Sequence, residues 1–230
     1  MKKAIITQSN YIPWKGYFDG IAAVDVFVVY DDMQYTKRDW RNRNLIKTPD
    51  GLKWLTIPVE VKGKYFQKIN ETKVSDKLWA RSHWDTIKQN YKNAACFKEM
   101  SEWVEPLYMN CNYDYLTDIN LYFINNINKF LGIKTEIRLS SEFELAEERT
   151  QRLVDICKEI KAHEYYSGPA AKVYMDESRF ESENIKLNYF DYSGYKEYQQ
   201  INGEFAHGVT ILDLIFNTGH QASSYMKSLK

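Results

Sequence analysis

Apolar positions come in short runs, and the polar stretches between them carry glycine, proline and asparagine. Residues 4–7 (A-I-I-T) form a first buried-strand pattern at the N-terminus. A polar loop over 8–16 follows, and residues 17–23 place Phe18, Ile21 and Ala22 on one side of a helix. Residues 24–30 (V-D-V-F-V-V-Y) are β-branched and aromatic, the composition of a second buried strand. Strand, loop, helix and strand within about 28 residues make a βαβ unit, whose default is a parallel, right-handed crossover. Ligands of such sheets bind beyond the carboxyl ends of the strands. The polar segments 7–15 and 31–44 are therefore expected on one rim.

Further along, residues 54–61 (W-L-T-I-P-V-E-V) read as a strand that Pro58 confines to an edge or a bend. A weaker strand pattern lies at 69–74. Periodicity predicts helices over 77–91, 97–109 and 113–131. The first has Ser75–Asp76 as its cap and carries Trp79, His83, Ile87 and Tyr91 on one stripe; the third is stopped by Gly132. A strand over 134–139, a helix over 147–160, a strand over 163–166 and a tight turn at 167–171 follow. A short helix at 172–175, a last strand at 185–190 and an apolar helix at 210–216 complete the pattern, the last with Thr210 as cap and Gly219 as stop. The expectation is one α/β domain over residues 1–230, with a parallel or mixed sheet, a Rossmann-like start and a helical elaboration at about 75–132.

Composition narrows the partners. Lys plus Arg equals Asp plus Glu, 31 against 31, which disfavours a dedicated nucleic-acid binder. The three cysteines, Cys96, Cys111 and Cys157, give neither a disulfide framework nor zinc spacing. Lys2 and Lys3 precede too short an apolar run for a signal peptide, and no run approaches the ~20 residues of a membrane helix. A cytoplasmic protein without membrane insertion is expected. Aromatic residues make up 15% of the chain and include 18 tyrosines, which suit cores and sugar- or nucleotide-binding surfaces alike.

The candidate site follows from the rim. Gln8, Tyr11, Lys15 and Tyr17 stand just after the first strand, where a following helix N-terminus can hold an anion. Residues 34–44 supply Tyr35, Lys37, Arg38, Trp40, Arg41, Asn42, Arg43 and Asn44, a mixture suited to phosphate or carboxylate recognition with a stacking surface. Asp31 and Asp32 end the second strand and could hold a metal, orient a base or bind an amine, which makes them catalytic candidates beside His83. His83 is the first candidate for a proton acceptor, ahead of His207. Ser167 and Gly168 could present backbone N–H groups to an oxyanion or phosphate. There is no Gly-rich P-loop, no dinucleotide fingerprint and no metal-ligand spacing.

Several stretches together resemble the WbqC-like proteins. They are Q-S-N-Y-I-P-W-K-G-Y-F, V-D-V-F-V-V-Y-D-D-M-Q-Y-T-K-R-D-W-R-N-R-N, W-A-R-S-H, E-Y-Y-S-G-P-A-A-K-V-Y-M and I-L-D-L-I-F-N-T-G. That family is typically encoded among genes for bacterial O-antigen, capsule or other surface glycans. The resemblance implies work on an activated sugar, namely N-acylation or aminoacylation of a nucleotide-linked amino sugar. It implies an acyl or aminoacyl thioester, of coenzyme A or an acyl carrier protein, as co-substrate rather than a bound cofactor. The opening P-x-x-G loop between strand and helix is also similar to nucleotidyltransferase-like folds. Those enzymes carry H-x-G-H where this chain has Trp14, Lys15, Gly16 and Tyr17, so adenylyl transfer lacks its usual histidines here. An enzyme activating a small acid or sugar phosphate, and a non-catalytic sugar-nucleotide binding or assembly module, are the alternatives.

Overall fold

The computed structural model describes residues 1–229. Its main sheet has five parallel strands: β1 (Lys3–Thr7), β2 (Val26–Val29), β5 (Glu136–Leu139), β6 (Glu164–Ser167) and β7 (Lys186–Tyr189). Their order is β5-β2-β1-β6-β7. The chain therefore starts in the middle of the sheet, grows to one side, then returns to grow on the other. This is the doubly wound arrangement, and its point of reversal lies between β1 and β6.

Strand alternation sends the two faces of β1 and β2 into different cores. Ile5, Phe27 and Val29 join the larger apolar cluster, with Phe18 and Ile21 of α1 (Lys15–Ala22). Ala4, Ile6, Val26 and Val28 join the other, against Val154, Ile156 and Cys157 of α5 (Arg149–Glu159) and Phe180 of α6 (Glu177–Ser182). Both faces are covered, which is why these strands read as continuous apolar runs.

Between β2 and β5 the chain makes a two-stranded antiparallel hairpin, β3 (Arg43–Thr48) and β4 (Gly51–Thr56), and then three helices. These are α2 (Trp79–Tyr91), α3 (Phe97–Met109) and α4 (Leu116–Leu131), and they extend the larger core. Gly132 ends α4 in the left-handed conformation at φ 74°. The last helix, α7 (Ile211–Thr218), is capped by Thr210 Oγ1, which accepts from Leu212 N, and it packs against α3. No helix of the described residues is long and apolar enough to cross a membrane.

The sequence pattern differs from the structure mainly in the hairpin. The strand expected over 54–61 runs earlier, as β4, because its partner is the polar segment Arg43–Thr48. The strand expected at 69–74 is a 3-10 turn, Ile69–Glu71, flanked by single bridges from Val59 to Val74 and from Lys73 to Tyr115. The helix expected at 172–175 is a 3-10 turn over Pro169–Val173, with α6 following it. Ser75–Asp76 do not cap α2 directly: Asp76 Oδ1 accepts from Leu78 N at 2.8 Å, one residue before the helix.

Candidate functional site

A cleft of about 590 Å³ opens at the sheet's reversal point. Thr7 and Gln8, after β1, form one wall; Ser167 and Gly168, after β6, form the other. Tyr17 and Gly20 of α1, and Arg149 and Leu153 of α5, close the sides. Tyr30, Met33, Gln34 and Arg41 enter from the segment after β2, and Tyr174 and Tyr192 from the C-terminal half. Among the described residues the lining has no carboxylate and no imidazole, so the two guanidinium groups set its charge. Five tyrosines, Tyr17, Tyr30, Tyr165, Tyr174 and Tyr192, give it flat faces with polar tips. Burial raises the pKa of Tyr17 and Tyr30; Arg41 opposes this at Tyr17 and Arg152 at Tyr30. Both remain hydrogen-bonding phenols at neutral pH.

The two polar segments expected on one rim do meet. Tyr11 N donates to Trp40 O at 3.1 Å, and the Arg41 guanidinium donates to Asn10 Oδ1. Asn120 Nδ2 donates to Arg41 O at 2.9 Å, so this arginine is held by its backbone as well. Behind it, Asp31 accepts from Ser9 N (2.8 Å), Ser9 Oγ (2.6 Å) and Thr117 Oγ1 (2.7 Å). Burial raises the pKa of Asp31, and those donors with Arg41 oppose the shift. Asp31 supports the rim without lining the cleft. Asp32 turns toward Asn70 (3.1 Å), Lys68 (3.8 Å) and Ser140 Oγ, also outside it.

His83, expected as the base, lies in the core. Its Nδ1 meets Tyr11 OH at 2.9 Å and its Nε2 meets Thr56 O at 3.1 Å. A carbonyl can only accept, so Nε2 carries the proton and Nδ1 accepts from Tyr11, whose oxygen also meets Tyr108 OH at 2.9 Å. Burial lowers the His83 pKa to about 4. Neither ring nitrogen is available to a substrate in the cleft, and Tyr11 is buried with it.

The remaining expected residues divide by role. Gln8, Tyr17, Arg41, Ser167 and Gly168 line the cleft. Asn42 and Asn44 are buried and brace backbone: Asn42 Nδ2 donates to Ile57 O at 2.8 Å. Tyr35 is buried, Lys37 and Arg38 are exposed, and Arg43 lies flat over Trp54, its guanidinium carbon 3.9 Å from the ring centroid. Trp40 packs on Trp54 with centroids 5.1 Å apart. Lys15 is buried beneath the irregular segment 190–209. Its ammonium donates to Lys196 O at 2.7 Å and faces the rings of Tyr195, Tyr198 and Phe205. Burial lowers its pKa to about 8, against the nearby carboxylates of Glu197, Asp19 and Asp213. Its ammonium thus secures the segment that delivers Tyr192 to the cleft. The N-terminus of α1 is not open to an anion: the Trp14 indole folds over Gly16, and a Cβ there would come 2.3 Å from it.

Asn44 fixes the loop beyond β1. Its Nδ2 donates to Tyr11 O (3.0 Å) and Ile12 O (3.1 Å), while Thr210 Oγ1 donates to Ile12 O at 2.7 Å and Ile211 N to Pro13 O at 2.9 Å. Ile12 has φ 36°, a strained value for a β-branched residue that persists only where its surroundings enforce it. Asn44→Ala is expected to lower unfolding free energy by about 2–3 kcal/mol in urea denaturation, since it leaves Tyr11 O without a donor and removes the side-chain acceptor of Leu45 N, while Ile12 O keeps Thr210.

Sequence reasoning did not single out Tyr30, Gln34, Arg149, Tyr165 or Tyr192 as individual cleft residues. The available signal was positional. Arg149 occupies the first turn of the helix that precedes β6, and Tyr165 lies within that strand.

A model of the WbqC-like protein family matches residues 8–225. The chain belongs to that family. It is 49% identical over 227 residues to the "Uncharacterized protein Rv1507c" of Mycobacterium tuberculosis (strain ATCC 25618 / H37Rv), covering 99% of this chain and 98% of that protein. No solved structure matches it significantly. The span matched by the WbqC-like family takes in Gln8 on one wall of the cleft, Gly168 on the other and Tyr192 above them. Gly168 has an ordinary φ of −69°, and a Cβ added to it would meet nothing within 4 Å. Neither conformation nor packing demands a glycine there. Gly168→Ala is therefore expected to leave Tm unchanged within about 1 °C, since nothing is crowded. If a ligand approaches the backbone at that wall, the same variant weakens its binding in calorimetric titration.

Proposed function

We propose that the protein transfers an acyl or aminoacyl group to the amine of a nucleotide-linked amino sugar in bacterial surface-polysaccharide synthesis. The observation that carries this reading is the cleft at the β1/β6 reversal point, with Arg41, Arg149 and five tyrosines on its walls. Doubly wound sheets hold nucleotides at that place. Guanidinium groups suit a diphosphate, and phenolic rings offer stacking faces to a base or sugar and polar tips to its hydroxyls. The surface-glycan gene setting that the family resemblance implies supports this choice of pathway.

In such a transfer the neutral amine attacks the thioester carbonyl, a C–N bond forms, and the C–S bond breaks. The amine loses one proton, the departing thiolate gains one, and the products are an amide and a thiol. The cleft's part is to bind and align the two substrates, with the Ser167–Gly168 turn offering a wall on which a carbonyl can lie close to backbone. His83 has no part in this scheme, because both its ring nitrogens are engaged in the core.

The test combines purified protein with a nucleoside-diphosphate-linked 4-amino sugar and a panel of acyl and aminoacyl thioesters, read by mass spectrometry and calorimetry. The expected result is binding of the sugar nucleotide and a product heavier by one acyl group. Absence of both binding and transfer across the panel would sink the reading. The sheet order also suits a nucleotidyltransferase-like enzyme, which would instead release pyrophosphate from a nucleoside triphosphate. Binding without any turnover would favour a sugar-nucleotide binding module.

A further inference from the structure

The cleft has two unlike sides, because alternate residues of β1 face different cores. On the α5 side it is lined by Ile6, Leu153, Tyr165, Ala171 and Met175, all members of the buried apolar cluster on that face. Val154, Ile156 and Phe180, each fully buried, pack in the same cluster, so this side is a recess backed by core. The Tyr165 hydroxyl donates to Ile6 O at 3.4 Å, which leaves the ring as its exposed surface in the recess. The α1 side is mostly polar. Gln8, Tyr17, Gln34 and Arg41 line it, with Ile5 and Met33 of the other cluster between them.

Among the described residues the lining holds two guanidinium groups and no carboxylate. The acidic side chains that flank it in sequence lie outside. Asp31 is held by Ser9 and Thr117, and Asp32 by Asn70 and Ser140. Glu147 is exposed, and Glu148 accepts from Thr150 N at 3.0 Å and Gln151 N at 2.7 Å. Asp176 accepts from Ser178 Oγ at 2.6 Å, and Glu177 from Tyr189 OH at 2.8 Å. A cationic amine in the recess would lose its water without gaining a counter-ion, and burial of an unpaired charge is costly. Phenol faces attract cations only modestly, and Arg41 and Arg149 act against them. A hydrocarbon chain in the same place gains by leaving water.

We infer that the α5-side recess receives the acyl part of the donor, and that the group transferred is a short hydrocarbon acyl rather than an aminoacyl one. The assignment rests on the acyl-transfer reading of the cleft and selects its donor. The amide C–N bond forms, the thioester C–S bond breaks, and one amine proton passes to the thiolate. The group that moves is R–CO, with R a hydrocarbon. A cleft of about 590 Å³ that also takes a sugar leaves room for a short chain only. Ala171 and Met175 set the depth available to it.

The experiment compares coenzyme A thioesters as donors to a nucleoside-diphosphate-linked 4-amino sugar, with kcat/KM read by mass spectrometry. Butyryl and 2-aminobutyryl donors differ only by the ammonium group. Butyryl is expected to be favoured by about 10-fold or more. From acetyl to butyryl, kcat/KM should rise by about 4-fold for each methylene buried. Met175→Ala should move the preference to longer chains, and Ala171→Val to shorter ones. Ratios between donors for one variant do not depend on the fraction folded, so a partial loss of stability leaves them readable. Equal or better use of 2-aminobutyryl, or donor ratios that neither variant moves, overturns the inference while leaving acyl transfer in place. No transfer from any donor removes acyl transfer itself, and the inference with it.

Discussion

Arg41→Ala is expected to weaken binding of a nucleotide-linked sugar by about 10- to 100-fold, the loss of one charge-assisted contact to phosphate. The fold should survive the change. The arginine's backbone is held independently of its side chain, by Asn120 Nδ2 on its carbonyl and by the neighbouring bond from Tyr11 N to Trp40 O. What is lost is the guanidinium in the cleft, its bond to Asn10 and its ion pair with Asp39 at 3.6 Å. Arg41→Lys should recover only part of the affinity, because an ammonium restores charge without the planar fork. In a working enzyme the same loss would raise KM while kcat changes less, if the contact is made equally in ground and transition states. Calorimetric titration of parent and both variants decides the matter. Equal affinities in all three would remove Arg41 from the ligand's anionic group and leave Arg149 as the cation of the cleft.

The second large effect concerns stability rather than binding. His83 is neutral in the core, and its pKa is lowered from the ordinary value to about 4 by burial. An unfolded histidine titrates near 6.5, so the unfolded chain takes up this proton first as pH falls. The stabilisation is complete above the unfolded value and is lost progressively from about pH 6.5 down to about pH 4. Its size is about 3 kcal/mol at most, from the difference between the two values. His83→Gln keeps a donor for Thr56 O and an acceptor for Tyr11 OH but cannot titrate. Urea denaturation at pH 7.5 and pH 4 should therefore show a smaller acid loss in the variant than in the parent, although other groups titrate in both. Parallel losses would mean that His83 is not held neutral in the folded protein.

The sequence carried the sheet more clearly than the site. Residues 4–7 and 24–30 show as strands because both their faces are buried, and that burial leaves an unbroken apolar run. Gly132 and Thr210 mark helix ends by local chemistry that needs no tertiary context. The hairpin was harder. Arg43–Thr48 looks like a charged loop, and it is a strand because Asn44 and Ile46 turn inward while Arg43 finds the face of Trp54. The core position of His83 is visible in its own spacing. It shares a stripe with Trp79, Ile87 and Tyr91, and a stripe of that composition faces a core. The opposite wall of the cleft was hidden for a different reason. Tyr165 and Ser167 approach Gln8 only because β6 pairs with β1 in parallel, with Ile5 opposite Tyr166, a contact between residues far apart in the chain.

The clasp on the loop beyond β1 has a temporal side. Thr210 Oγ1 reaches Ile12 O across 198 residues of sequence, and Ile211 N closes on Pro13 beside it. During synthesis the N-terminal strand leaves the ribosome first, but this restraint on its loop cannot form until the start of α7 has followed. A chain released before residue 210 would lack that tether at Ile12, and non-local closures of this span are slow to reach. The newborn chain should thus acquire its sheet before the loop beyond β1 is held in its final, left-handed conformation at Ile12.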